Sequence, residues 1–392
     1  MPRQFKSTDT STWTEQFGTG KHGSLTVSSG TFFRNDTSPF TNNGNGFANF
    51  TGTSGNTSGT AVDSWTFNLN YLTAGDYVLI HQSGGTGAGN WELNVITGTV
   101  GSGTWTVNFK YQLQNTYTTG AQIVSCPQFT DITFNAGTNI TQKNWDPFKW
   151  GGIIAFFCNG KTTITGNLYT SSQGFAGGEG RDFGSTAFTG WNTGNDSLQQ
   201  TAASNNGGGG SDGDNGAGRG ASGGGGGSYT AGGAGGTEGG GAAGGGAGNT
   251  TATTSELTLA VFGGGGGGGS RTGSGSYPRG GFGGGSIFIF SKEIEITGYL
   301  SSDGGNGVQS GDGGSGGGAG GTVLIKSITA TLGTTRVNAI GGSGAYQGGA
   351  GGTGRIHLDY ASSYTGTTNP TLSATQDSSL YPSGGAFIYN LL

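Results

Sequence analysis

Residues able to do chemistry are few in this chain, and they lie far apart. The densest ionic group is Glu179-Gly-Arg181-Asp182. Two carboxylates this close could serve as acid and base on a glycosidic bond. A short-range ion pair that fixes a chain junction is the simpler use of the same residues. The three histidines, His22, His81 and His357, are widely separated. His81 and His357 fall in strand-like runs, where a structural role is expected. Asp212-Gly-Asp214-Asn-Gly216 begins like a calcium loop, but glycine stands at the third ligand position and no Glu follows at the required distance. Asp303-Gly-Gly-Asn-Gly307 and Gly311-Asp-Gly-Gly also lack calcium-repeat spacing, so solvated polar turns are expected there. Cys126 and Cys158 have no Cys or His at metal-site spacing. A bridge between them and two buried thiols are both open. The chain is therefore expected to carry no catalytic residue, metal or cofactor.

Aromatic residues give the stronger functional signal. Phe183, Phe188 and Trp191 lie in a polar loop ahead of a long glycine tract. Tyr229 stands alone between glycine runs, and Tyr277-Pro-Arg279 with Phe282 lies in the return loop. Binding surfaces favour Tyr, Trp and Arg in bland surroundings, so these seven residues are the candidate receptor contacts. Their alternative role is to pack over glycine faces as caps. Trp145, Phe148 and Trp150 are assigned to the core or to covering the first coil.

The chain has 392 residues, of which 92 are glycine and 9% are charged, with a net charge of −5. Ordinary soluble proteins are about 25% charged. Lys and Arg are scattered, which leaves no footprint for nucleic acid. No apolar stretch approaches the length that spans a membrane. The opening Met1-Pro-Arg-Gln-Phe-Lys lacks the apolar core of an export signal. An outward-facing composition without that signal leads us to expect a virion protein, assembled in the cytosol and released by lysis.

The elements that must position the aromatic loops are β-strands. Gly23 to Phe32 has the two-residue period of a half-buried strand, and Phe33 to Gly59 reads as surface loops. Five strand-like runs between 61 and 126 predict a meander or small barrel. From 127 the pattern changes to repeats. Gly151-Gly-Ile-Ile-Ala-Phe-Phe-Cys158 with Ile164-Thr-Gly-Asn-Leu168 matches Gly284-Gly-Ser-Ile-Phe-Ile-Phe290 with Ile296-Thr-Gly-Tyr-Leu300. Looser copies start at Gly320 and Gly351. Periods of this length mean stacked coils, and apolar runs without alternation mean strands covered on both faces. No capped apolar helix pattern occurs. Thr258-Leu-Ala-Val-Phe262 is expected to be a strand inside the tract.

The glycine tract, about 178–285 with a shorter one at 303–321, leaves one coil and returns to it. A flexible linker is the usual reading of such composition. The return to the same architecture argues for order, as does the confinement of bulky residues to a few positions. The regular structure that suits glycine is the polyproline-II type helix. Such helices can pack closely and exchange N–H···O and Cα–H···O bonds laterally. The runs Gly223 to Gly227, Gly239 to Gly248 and Gly263 to Gly269 resemble the glycine-rich motifs of tail-fibre-tip adhesins of T-even-type phages. That resemblance implies a sandwich of polyglycine-II helices whose connecting loops bind a bacterial receptor. The chain is also similar to uncharacterised glycine-rich bacterial surface proteins.

The expected fold is all-β: N-terminal strands and loops (1–60), a small β unit (61–126), then β-solenoid-like coils with an inserted polyglycine-II array (127–392). The expected function is a non-enzymatic virion surface protein, a phage tail-fibre or tail-tip receptor-binding protein. Its partners would be a bacterial glycan or outer-membrane protein, other virion proteins and copies of itself, with no nucleic acid and no membrane insertion. A self-assembling filament or surface-layer subunit and a polysaccharide-cleaving solenoid are the alternatives. The apolar tail Gly385 to Leu392 would cap the coils or dock on a neighbouring subunit.

Overall fold

The computed structural model describes residues 16–33, 45–62, 69–145, 150–182, 187, 207–208, 210–211, 222–236, 247–250, 254–271, 277–310 and 313–381. After β1 (Leu25–Val27), six strands close a barrel: β2 (Phe47–Gly52), β3 (Ser58–Val62), β4 (Tyr77–Gln82), β5 (Trp91–Ser102), β6 (Thr104–Phe109) and β7 (Ala121–Cys126). They pair antiparallel in the order β2-β3-β6-β5-β4-β7. Two of these strands, β2 and β3, use residues that the sequence assigns wholly or partly to surface loops. Short, small side chains such as Ala48, Gly59 and Ala61 give a weak alternating signal. Their strand state comes from closing the barrel, where Ala48, Phe50 and Ala61 become buried with Val107 and Ile123.

Short strands follow at β8 (Gln128–Phe129), β9 (Ile132–Phe134) and β10 (Asn139–Ile140), then β11 (Ile153–Ile164) and β12 (Asn167–Tyr169). Two small pairs come from the glycine-rich region: β13 (Arg181–Asp182) with β14 (Ser270–Arg271), and β17 (Gln309–Ser310) with β18 (Gly313–Gly314). The remaining strands are β15 (Ser286–Ile296), β16 (Tyr299–Ser301), β19 (Thr322–Asn338), β20 (Arg355–Asn369) and β21 (Ser373–Gln376).

One parallel ladder runs β1-β9-β11-β15-β19-β20-β21, and a second runs β10-β12-β16-β19. Because the long β19 pairs with β15 at one end and β16 at the other, the sheet curls on itself. Matching positions stack: Ile154, Ile287, Val323 and Ile356 form one interior row, and Phe156, Ile289, Ile325 and Leu358 another. The opposite face of the same strands (Ala155, Phe157, Phe288, Phe290, Leu324) packs on barrel residues Phe47, Tyr77, Trp91 and Val124. Burial on both faces is the physical reason that Ile287-Phe-Ile-Phe290 is apolar without alternation.

One sequence expectation is corrected. Thr258–Phe262 is not a strand. It is an irregular plug between barrel and sheet, with Leu257, Ala260 and Phe262 buried. Its backbone is held by side chains: Trp91 Nε1 donates to Leu257 O (2.8 Å) and Thr322 Oγ1 to Val261 O (2.6 Å). As expected, no α-helical element occurs among the described residues; two 3-10 turns cover Leu69–Tyr71 and Ser378–Leu380. Cys126 and Cys158 are free, buried thiols that pack in different core clusters. Trp150 stacks on Phe47, with centroids 6.0 Å apart, and Trp145 packs edge-on to Phe175. Phe148 and the tail 385–392 lie outside the described residues.

Candidate functional site

The long parallel strands β15, β19 and β20 are entered from glycine runs, and the chain beyond β16 and beyond β19 enters the next run. Ser286 pairs with Thr322 and Thr322 with Arg355, which are steps of 36 and 33 residues. The runs bond to one another. Gly226 N donates to Gly317 O (2.9 Å), Gly317 N to Gly349 O (2.9 Å), and Gly349 N to Gly223 O (3.0 Å). Gly316 N reaches Gly267 O at 2.9 Å, and Gly266 N reaches Gly281 O at 2.8 Å. Many of these glycines are fully buried, and a buried peptide group needs such a partner. Only glycine permits the spacing. A Cβ on Gly316 would overlap the Gly224 carbonyl oxygen, and one on Gly349 would overlap that of Gly233. Over its described residues the tract is therefore packed structure.

Two edges of this array carry bulky side chains. In the run 263–269, Gly263 N donates to Gly284 O, next to the start of β15, whereas Gly269 N donates to Pro278 O (both 2.9 Å). Tyr277 thus sits at the edge remote from the sheet, where Val308 and Tyr346 are also exposed; these three side chains are 48%, 50% and 47% accessible. Arg279 lies over the Phe282 ring at 4.9 Å, and Ser315 Oγ donates to Arg279 O at 2.6 Å. Phe282 is half-buried, so it caps the array and holds Arg279.

Tyr229 belongs to the opposite, sheet-side edge. Ser228 N donates to Thr230 O (2.9 Å), Thr230 N to Thr353 O (3.1 Å), and Thr353 N to Thr230 Oγ1 (2.7 Å). That clasp sets Tyr229 beside the start of β20, with the Arg355 guanidinium 3.4 Å from its ring centroid. A cavity of about 150 Å³ opens between Tyr229, Arg355, Pro370, Thr371, Leu372 and Ser373. Buried Arg355 Nε has no hydrogen-bond partner among the described residues. The sequence grouped Tyr229 with Tyr277, Arg279 and Phe282; the structure puts it at a different edge. Arg355 and Tyr346 were missed. The signal for Arg355 was present, because in the aligned repeats it replaces the small hydroxyl residues Ser286 and Thr322. Phe183, Phe188 and Trp191 lie outside the described residues, as do Asp212, Asp214 and the side chains of Arg181 and Asp182.

The nearest approach to a catalytic relay involves Ser373, His357 and Asp359. His357 Nδ1 is 3.0 Å from Ser373 Oγ, His357 Nε2 is 2.9 Å from Asp359 Oδ1, and Lys326 Nζ is 2.6 Å from Asp359 Oδ2. Burial raises the Asp359 pKa, but the hydrogen bond from His357 and the charge of Lys326 outweigh it, so the carboxyl is held below its usual range. Ser373 Oγ donates to Ser255 O at 3.0 Å, which engages its one proton. The group therefore pins the segment before the plug to the last strand. A second surface, a polar groove of about 640 Å³ on the barrel, is lined by Thr51, Thr60, Thr106, Thr116, Thr118 and neighbours. No group of three His, Cys, Asp or Glu that could hold a metal occurs among the described residues. Comparison of the chain with protein-family models, with curated proteins and with solved structures returns no match.

Proposed function

We propose that the protein is a non-enzymatic virion surface protein of a phage, a tail-fibre or tail-tip receptor-binding protein that works by rigid display. The repeated parallel strands are read as coils of a β-solenoid, and the cross-bonded glycine runs as a polyglycine-II array. The observation that carries this reading is the array's construction. Its runs are bonded laterally, leave no room for a Cβ, and expose Tyr277 and Tyr346 at one edge and Tyr229 with Arg355 at the other. Such a platform holds contact residues without the ordering cost that a flexible loop would meet on binding. The partners are a bacterial glycan or outer-membrane protein, other virion proteins, attached through the N-terminal β region, and copies of this chain. The location is the virion surface, outside the cell. Binding of the labelled full chain to a panel of bacterial cells tests this. Saturable binding to some strains, weakened in Tyr277→Ala/Tyr346→Ala or Tyr229→Ala, is expected. Absence of binding to every strain, or unchanged binding in all these variants, overturns it.

One observation favours a second reading, a self-assembling filament subunit. The parallel ladder ends in β21, which pairs only with β20 among the described residues and leaves a strand edge open to another copy. Electron microscopy of the purified chain separates the two, because homopolymers with this subunit repeating along the axis belong to the filament alone.

A further inference from the structure

We infer that the cavity between Tyr229 and Arg355 is a subsite for a sugar bearing a carboxylate, such as a hexuronate unit of an acidic surface glycan. This rests on the receptor-binding reading and gives that reading a ligand class. The guanidinium lies against one face of Tyr229, 3.4 Å from the ring centroid, which fixes its plane. A planar guanidinium directs its N–H groups outward along its edges, in the fork that matches a carboxylate. No carboxylate forms an ion pair with Arg355 among the described residues. Asp359 is held by Lys326 and His357. Glu256 is near enough to feel the charge of Arg355, but its carboxylate accepts from Ser255 Oγ.

The rest of the wall suits a sugar ring better than a bare anion. Pro370, Leu372 and Ile356 offer an apolar side, Thr371 offers a hydroxyl, and Tyr229 remains 44% exposed for a C–H face. The volume of about 150 Å³ equals about five waters, the scale of one ring rather than a chain. The same fork would also match a phosphate, but the apolar wall favours a ring, and the second nearby cation, Lys326, is already bound to Asp359 at 2.6 Å.

The test titrates the full chain with glucuronate, glucose, acetate and inorganic phosphate, read by ligand-observed NMR. Glucuronate is expected to bind better than the other three. Arg355→Gln should weaken it about tenfold to a hundredfold, the loss of one charge-assisted contact. Arg355→Lys keeps the charge and loses the fork, so it should fall between wild type and Arg355→Gln. Val100→Ala, an exposed barrel position away from the cavity, should leave it unchanged. Equal binding of glucose or acetate, preference for phosphate, or unchanged affinity in Arg355→Gln overturns the inference. Adhesion of the wild-type chain to cells without any glucuronate binding also overturns it, and leaves the receptor-binding reading standing.

Discussion

Glycine is used for two different physical reasons in the two halves of this molecule. In the barrel it sits at turns in the left-handed region: Gly55, Gly75 and Gly103 have φ of 88°, 90° and 71°, and a Cβ there would meet nothing within 4 Å. In the array the described glycines from 174 to 321 and from 341 to 354 all avoid that region, yet on most of them, such as Gly316, Gly318 and Gly349, a Cβ would strike a neighbouring backbone oxygen. The barrel chooses glycine for the angle it permits, one turn at a time. The array chooses it for the space it leaves, and the choice is collective, since each run sets the limit for the next. These barrel turns can therefore tolerate side chains that accept the angle, whereas most glycines of the array should reject any side chain.

The largest effect is expected in the array. Gly316→Ala would force apart runs that are bonded on several sides, and should cost about 3 kcal/mol or more in chemical denaturation, at or beyond the upper end for overpacking. A loss below about 1 kcal/mol would show that the runs yield freely and would break the comparison.

The joint between the halves comes next. His81 is buried, stacks on Phe262 of the plug, and lies 2.7 Å from Ala260 O through Nε2 and 2.8 Å from Ser83 Oγ through Nδ1. Burial lowers its pKa to about 4, against 6.5 for the free group, with the bond to Ala260 acting weakly the other way. Below pH 6.5 the unfolded chain takes up a proton that the folded chain refuses, so stability must fall as pH drops from about 6.5 to 4. The loss is about 3 kcal/mol over that window, measurable by thermal denaturation, and should vanish in His81→Asn.

A barrel turn should be milder. Gly103→Ala costs about 1–2 kcal/mol for the left-handed angle, and Gly103→Asn costs less because Asn visits that region. In the array the order should invert, with Gly316→Asn worse than Gly316→Ala. The smallest effect is the absence of reaction at the thiols. Burial raises the pKa of both Cys126 and Cys158, so neither should be alkylated by iodoacetamide at pH 8 until the chain unfolds.

The parallel strands were legible because burial on both faces writes a continuous apolar run, and because Gly-Gly recurs where Gly284 and Gly320 approach neighbouring backbone. The first barrel strands were not, since Phe47–Gly52 and Ser58–Val62 are rich in small and polar residues and depend on partners such as Val107 and Ile123. The plug at Leu257–Phe262 was misread for a related reason. It is apolar because it is buried between layers, but side chains rather than a ladder satisfy its carbonyls. Of the candidate site, Tyr229 was legible by its isolation between glycines. Arg355 was not singled out, because its meaning comes from a ring brought to it by the fold.

The connection from β12 to β15 that hosts the long glycine tract departs after Gly180 and resumes at Pro278, and the two ends still meet: Gly280 N donates to Gly178 O at 2.9 Å. The connections from β16 to β19 and from β19 to β20 make the corresponding turn with a few residues, at Gln309–Gly314 and around Tyr346. A segment that exits and re-enters at one place is a cassette. Recombination can lengthen, shorten or exchange it while the strands beneath keep their register, so the inserted part and the scaffold of such a protein can evolve at separate rates.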